Sequence, residues 1–203
     1  MATTLKLVAM ALALTAASAA MADAEINKPA PAFVGVGADG KPLRLDSFKG
    51  KTVVLEWTNH ECPFVKKHYE SGNIPSLQKD AADKGVVWLQ VVSSAQGKQG
   101  YVDGATAQKL NGARKAAPSG TVLDPEGAIG KLYGAQTTPH IFIVNADGKL
   151  VYKGGIDSIA TNKVEDLSKA EPYVVNALNA IKAGKAVEKA STKPYGCSVK
   201  YAG

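Results

Sequence analysis

Two apolar runs dominate the first half of the chain and fix most of what it can fold into. "TVVLEW" (52–57) and "VVWLQVV" (86–92) are continuous, rich in β-branched residues and too short to be helices. Runs of this kind mark strands buried on both faces. Between them lies a helical pattern from about Pro63, broken at Ser71-Gly72-Asn73 and resumed as far as Gly85. Strand, helix, strand predicts a βαβ unit with parallel strands, because parallel neighbours need a long crossover and a helix supplies it.

The flanking segments extend this unit. Residues 29–50 read as a β-hairpin turning at Ala38-Asp39-Gly40, followed by a short connector. "SSAQGKQGYVDGA" (93–105) is a Gly-rich loop and "TAQKLNGARKAA" (106–117) a short helix. In "TVLDPEGAIGKLYG" (121–134), Thr121–Leu123 is a brief strand, Asp124 an N-cap, Pro125 the first helical position and Gly134 the stop. "HIFIVNADGKLVYKGG" (140–155) is a hairpin around Asn145-Ala146-Asp147-Gly148. "EPYVVNALNAIKAG" (171–184) places Tyr173, Val174, Ala177, Leu178 and Ile181 on one helical face, and residues 185–203 look like an irregular tail. The order predicts an α/β fold: a central mixed sheet, half parallel and half antiparallel, with helices on both faces and an N-terminal β-hairpin extension.

The first 22 residues are set apart from this fold. One early charge, Lys6, precedes an apolar run to about Leu14, then small residues and Ala20-Met21-Ala22. That is the tripartite pattern of a cleaved export signal, so residues 1–22 are expected to be removed. The apolar run is too short and too rich in Ala and Thr for a membrane anchor. Residues 23–184 are then the folded domain and 185–203 a tail carrying the second of two cysteines. The expected destination is a bacterial periplasm, with no membrane span after signal removal. The formal net charge of +6 is scattered over 24 Lys and Arg residues with no basic run, so a nucleic-acid partner is not indicated.

Two cysteines, Cys62 and Cys197, remain after the signal. In open α/β sheets the working site lies beyond the carboxyl ends of the parallel strands, and Cys62 stands there, five residues past Trp57. Pro63 suits the first helical turn, which makes Cys62 the expected N-cap, with its sulfur near free backbone N–H groups. A thiolate in that position is stabilised and reactive. Lys66, four residues on, shares that helical face and is expected to add to the effect. An inert half-cystine or a buried thiol are the competing readings at this point.

"EWTNHECPFV" after a buried strand and "TTPH" before the next, in this segment order, resemble the thioredoxin superfamily. Residues 29–184 are most similar to its peroxiredoxin-like (AhpC/TSA-related) redoxin branch, and "TKPYGCSVKY" is similar to the ending of exported members. The resemblance implies a thioredoxin-like fold and thiol oxidoreductase activity on disulfides or hydroperoxides. It makes Cys62 the nucleophile, and Thr138-Pro139 the cis-proline loop that packs on it and presents backbone to substrate. Val65 stands where a C-x-x-C motif would have its second cysteine, which leaves Cys197 as the expected resolving partner on an accessible tail. The peroxiredoxin pattern P-x-x-x-T/S-x-x-C is incomplete: Leu55 replaces its proline, Asn59 its threonine, and Thr58 lies one residue back. No arginine precedes the late strand; Arg114, in the 106–117 helix, is the candidate that could reach the site.

Catalytic Cys62 and Cys197, supported by Thr58, Lys66, Thr138 and Pro139, are therefore expected, with a Cys62–Cys197 disulfide in some redox state. No cofactor is needed; an external thiol reductant is the expected partner, and a homo-oligomer is compatible. Two other functions compete: a non-catalytic binding or assembly module clipped by a static disulfide, and a metal carrier using Cys62 with His60 or His140. Glu56 has two readings: the resemblance allows it the place of the acid that some thioredoxins bury near the cysteine, and the sequence favours a strand-edge carboxylate.

Overall fold

The structure, a computed structural model, describes residues 24–202. The export signal expected over residues 1–22 falls outside the described residues. No described helix is long and apolar enough to cross a membrane.

The hairpin is β1 (Val34–Gly37) with β2 (Pro42–Arg44), turning through Ala38–Lys41. The first apolar run is β3 (Val53–Trp57), every residue buried. The interrupted helix becomes α1 (Pro63–Glu70) and α2 (Asn73–Asp83), broken where Gly72 takes a left-handed conformation. The second apolar run is β4 (Val87–Val92), and α3 (Gly104–Ala113) is capped by the Asp103 side chain accepting from Thr106 N–H at 2.7 Å. Next come β5 (Gly120–Leu123), α4 (Ala128–Tyr133), β6 (Thr137–Thr138), β7 (His140–Val144) and β8 (Leu150–Gly154). α5 (Tyr173–Lys182) and β9 (Cys197–Ser198) follow.

Seven strands form one sheet in the order β2-β1-β5-β4-β3-β7-β8. β5, β4 and β3 run parallel, whereas β7 and β8 are antiparallel to their neighbours, giving the expected mixed sheet. Alternation along the strands divides the core. Trp57, Leu55 and Phe142 pack with Tyr133 and Ile129 of α4 on one face. Val54, Trp88 and Ile141 pack with Val65 and Tyr69 of α1, Ile74 of α2 and Val174 of α5 on the other.

Two expectations need correction. The fourth helix begins at Ala128, not Pro125, because the Asp124 side chain does not cap the next residue. It reaches over a tight turn to accept from Ile129 and Gly130 N–H at 3.2 and 2.9 Å, and from the Ser93 hydroxyl at 2.6 Å. The tail is irregular apart from β9, as expected, but it is not free. Lys153 N–H bonds to Ala190 and Thr192 N–H to Lys153, then Val199 N–H to Gln136, and Ala95 N–H to Lys200. Between these ties β9 pairs with β6 as a separate two-stranded ribbon, so the last segment of chain is sewn onto the end of the sheet.

Candidate active site

Cys62 is the N-cap of α1, in extended conformation with Pro63 at the first helical position. Its carbonyl accepts from Lys66 N–H, and its own N–H bonds to Asn59 O at 3.1 Å, closing the turn out of β3. That turn is held from the side: Asn59 accepts from Glu61 N–H at 2.9 Å and donates to Gln99 O at 3.3 Å. Gly100 donates to the Glu61 carboxylate, and a Cβ at Gly100 would overlap Asn59, which explains the glycine in the 93–105 loop.

The peptide bond Thr138-Pro139 is cis. Thr138 O accepts from the Cys62 thiol at 3.1 Å. Thr138 is also the antiparallel partner of Cys197, so the ribbon β6–β9 brings the second cysteine to the first. Both thiols are free, and they are close enough for each to shift the other's ionisation. Gly196 makes this approach feasible: its φ is +135°, and a Cβ there would overlap the Thr138 carbonyl.

Cys62 is 0 % exposed, so the reactive N-cap and the buried thiol, rival readings of the sequence, hold together here. The cover is the tail, which was expected to be accessible and instead lies folded, with Cys197 only partly exposed. Burial alone would push the Cys62 thiol up. The Cys197 thiol, the backbone N–H groups of Val65 and Cys197, and Thr138 outweigh it and hold Cys62 below the ordinary cysteine range. Val65 is the third residue of α1, so its N–H is one of the free donors of the helix start. Cys197 moves the opposite way, pushed up to about 12 by burial and then by the Cys62 sulfur. The first proton therefore leaves Cys62 and the second stays on Cys197.

The supporting residues fall in different places. Thr138 and Pro139 adjoin the thiol pair. Lys66 is exposed, and the groups that lower Cys62 are those just named. Thr58 is buried and lines a small chamber with His60, Asn111 and Arg114, its hydroxyl without a hydrogen-bond partner. Arg114 does not reach the sulfur; its guanidinium lies 4.0 Å over the Tyr69 ring. His140 shares the sheet face of Trp57 and Phe142, the latter ring 4.4 Å away, opposite to the face of Cys62. Among the described residues, no three His, Cys, Asp or Glu side chains converge as a metal site.

Two polar clusters were not legible in the sequence. Glu56 is no edge carboxylate: β3 is central, and Glu56 is fully buried. It accepts from Trp88 Nε1 at 2.7 Å and Tyr69 OH at 2.8 Å, and burial raises its pKa despite these bonds. The second cluster joins α1 to the tail. The Tyr195 hydroxyl donates to Asp157 at 2.6 Å and lies 3.3 Å from Lys67 Nζ and 3.2 Å from His68 Nε2. Burial, with the Lys67 charge, lowers His68 to about 3, so its ring is neutral. Lys67, although it follows an exposed lysine, is buried, its ammonium 3.8 Å from Asp157.

Known proteins are similar to this chain. The thiol-disulfide oxidoreductase ResA of Bacillus thuringiensis subsp. konkukian is 29 % identical over 127 residues, 63 % of this chain and 68 % of ResA. An uncharacterized conserved protein from Geobacillus kaustophilus shares the fold with TM-score 0.75 and 26 % identity, over 88 % of this chain and 93 % of that one. A hypothetical protein from Sinorhizobium meliloti 1021 does so with TM-score 0.73 and 22 % identity, over 88 % and 95 %. The Redoxin family model matches residues 25–171, which hold β3, the Cys62 turn and the cis-proline. The chain is a thioredoxin-like protein of the Redoxin family.

Proposed function

We propose that this redoxin is an exported thiol–disulfide oxidoreductase in which Cys62 attacks and Cys197 resolves. The supporting observation is the β6–β9 pairing, which sets Cys197 opposite Thr138, the residue whose carbonyl holds the Cys62 thiol. The Cys62 thiolate displaces one sulfur of a substrate disulfide, forming a mixed disulfide and releasing the first substrate thiolate. The Cys197 sulfur, its proton passing to solvent, then attacks Cys62 Sγ, forming the Cys62–Cys197 bond and releasing the second thiolate. An external dithiol returns the pair to the reduced state. Export accounts for residues 1–22 and for a compartment in which the oxidised pair persists. The likeness to the ResA oxidoreductase supports the disulfide as substrate class.

A hydroperoxide is the second substrate class, favoured by one observation: a sulfur with 0 % exposure is reached more easily by a small oxidant than by a polypeptide. There the thiolate takes the distal peroxide oxygen, alcohol or water leaves, and Cys197 condenses with the sulfenic acid, releasing water.

Mass spectrometry after adding one equivalent of glutathione disulfide, or of hydrogen peroxide, to the reduced protein tests both. The expected product is a Cys62–Cys197 disulfide, with Cys197→Ser trapped as the Cys62 adduct. A cysteine pair that stays reduced with either oxidant refutes the proposal. A midpoint below about −300 mV identifies a static clip instead.

A further inference from the structure

The tail is tied down by backbone pairing on both sides of residues 193–196, and across that gap Tyr195 makes the side-chain contact with α1. The ring of Tyr195 packs against Phe64, centroids 5.9 Å apart, and residues 64, 67 and 68 all belong to the helix that Cys62 caps. Its hydroxyl is fully used. His68 Nδ1 faces the Asn73 amide at 2.8 Å and so accepts there, which leaves the His68 Nε2–H to donate to Tyr195. Lys67 donates to the same oxygen, and Tyr195 donates onward to Asp157, which sits in the segment after β8. Burial and the Asp157 carboxylate keep the phenol protonated, so the donor persists across the working pH range. Cys197 follows two residues later, at the glycine hinge of residue 196.

We propose that Tyr195 is a positioning residue for the thiol pair: its hydroxyl, seated among Lys67, His68 and Asp157, latches the tail across α1, so that Cys197 both covers Cys62 and stands ready to resolve it. The chemistry rests on the exchange reaction proposed above; the latch itself is a statement about access to Cys62. Every bond to the Tyr195 oxygen involves a charged group or a buried neutral ring, and bonds to charged groups are the stronger class. Removing the hydroxyl leaves Lys67, His68 and Asp157 facing one another across an empty site, which favours the opened tail.

The test is Tyr195→Phe, which keeps the ring against Phe64 and deletes only the oxygen. The measurement is the rate at which iodoacetamide alkylates Cys62 in the reduced protein, at the pH plateau, with the modified cysteine identified by peptide mass spectrometry. Tyr195→Phe is expected to react at least tenfold faster than wild type, and its Cys62–Cys197 equilibrium with glutathione is expected to fall at least tenfold. Val122→Ala, a truncation in the core on the other sheet face, controls for general loosening and is expected to leave the rate within twofold. Equal rates in Tyr195→Phe and wild type, or equal acceleration by Val122→Ala, overturn the latch. A wild type that forms no Cys62–Cys197 bond with glutathione disulfide refutes the exchange reaction, and the alkylation rates still decide the latch.

Discussion

Oxidising the cysteine pair should stabilise the protein by an amount that the sequence separation sets and the thiol electrostatics reduce. Cys62 and Cys197 lie roughly 135 residues apart, and closing a loop of that length in the unfolded chain removes entropy worth about 5 kcal/mol at 25 °C. The folded state gives little back in new ordering, because β9 is already paired with β6 in the protein whose thiols are free. With a urea slope near 2 kcal/mol/M, the oxidised form should unfold at about 2.5 M higher urea than the reduced form. The same free energy must appear as a potential roughly 100 mV lower for the folded pair than for the urea-unfolded one.

The pH dependence supplies an independent check. Cys62 is depressed in the folded reduced protein, so its contribution to reduced-state stability is full above about 8.5 and is lost as the pH falls through its folded value. Cys197 is raised to about 12, so the reduced fold loses stability as the pH climbs beyond the ordinary cysteine range. The gap between oxidised and reduced forms should therefore narrow towards about pH 8.5 and widen on either side. Urea titrations of both forms, with Cys197→Ala as the variant that cannot close the bond, read this directly. An oxidised form no more stable than the reduced one would refute the reasoning, since it would mean that the folded chain resists the bond.

Other perturbations follow from the same contacts. Gly196→Ala sets a methyl against the Thr138 carbonyl and should unseat β9, slowing Cys62–Cys197 formation by glutathione disulfide at least tenfold in a quenched-flow assay. Lys67→Met strands the Asp157 carboxylate in the interior and should cost about 3 kcal/mol by urea denaturation, whereas Lys67→Met with Asp157→Asn should recover most of it. Glu56 has a raised folded-state pKa, so its contribution to stability is full below about 4.3 and is lost as the pH rises through that folded value. Glu56→Gln should abolish this decline, seen as a flatter urea midpoint between about pH 4 and 8.

The sheet was legible because its signals are local. The runs at 52–57 and 86–92 have one reading each, and Asn145–Gly148 announces its hairpin through turn chemistry. Thr138-Pro139 was legible through family likeness, since nothing in an isolated X-Pro bond distinguishes cis from trans. The burial of Glu56, Lys67 and His68 was not, because charged residues are ordinarily outside and only a tertiary partner reverses that preference. Glu56 needed Trp88 and Tyr69 from other elements, and Lys67 needed Asp157, 90 positions along. The tail was misjudged for a related reason. Its strand is two residues long, below any periodicity, and Gly196 reads as flexibility when its use is close approach to Thr138. The pairing that conceals Cys62 is written in contacts about 60 residues apart, where a single sequence carries no signal.

The division of charge between the sulfurs also orders the proposed reaction. While Cys62 is a thiolate, it is one of the two groups holding the Cys197 proton in place, burial being the other. Cys197 then stays protonated and cannot compete with the attacker as a nucleophile. Once Cys62 is bonded to a substrate sulfur its charge is gone, and Cys197 is left with burial alone opposing ionisation and Lys200 favouring it. Entry of a substrate must also displace part of the cover, which weakens the burial contribution. Both changes bring Cys197 towards the thiolate at the step that needs one, so the residue that protects Cys62 in the resting protein becomes reactive as a consequence of the first attack.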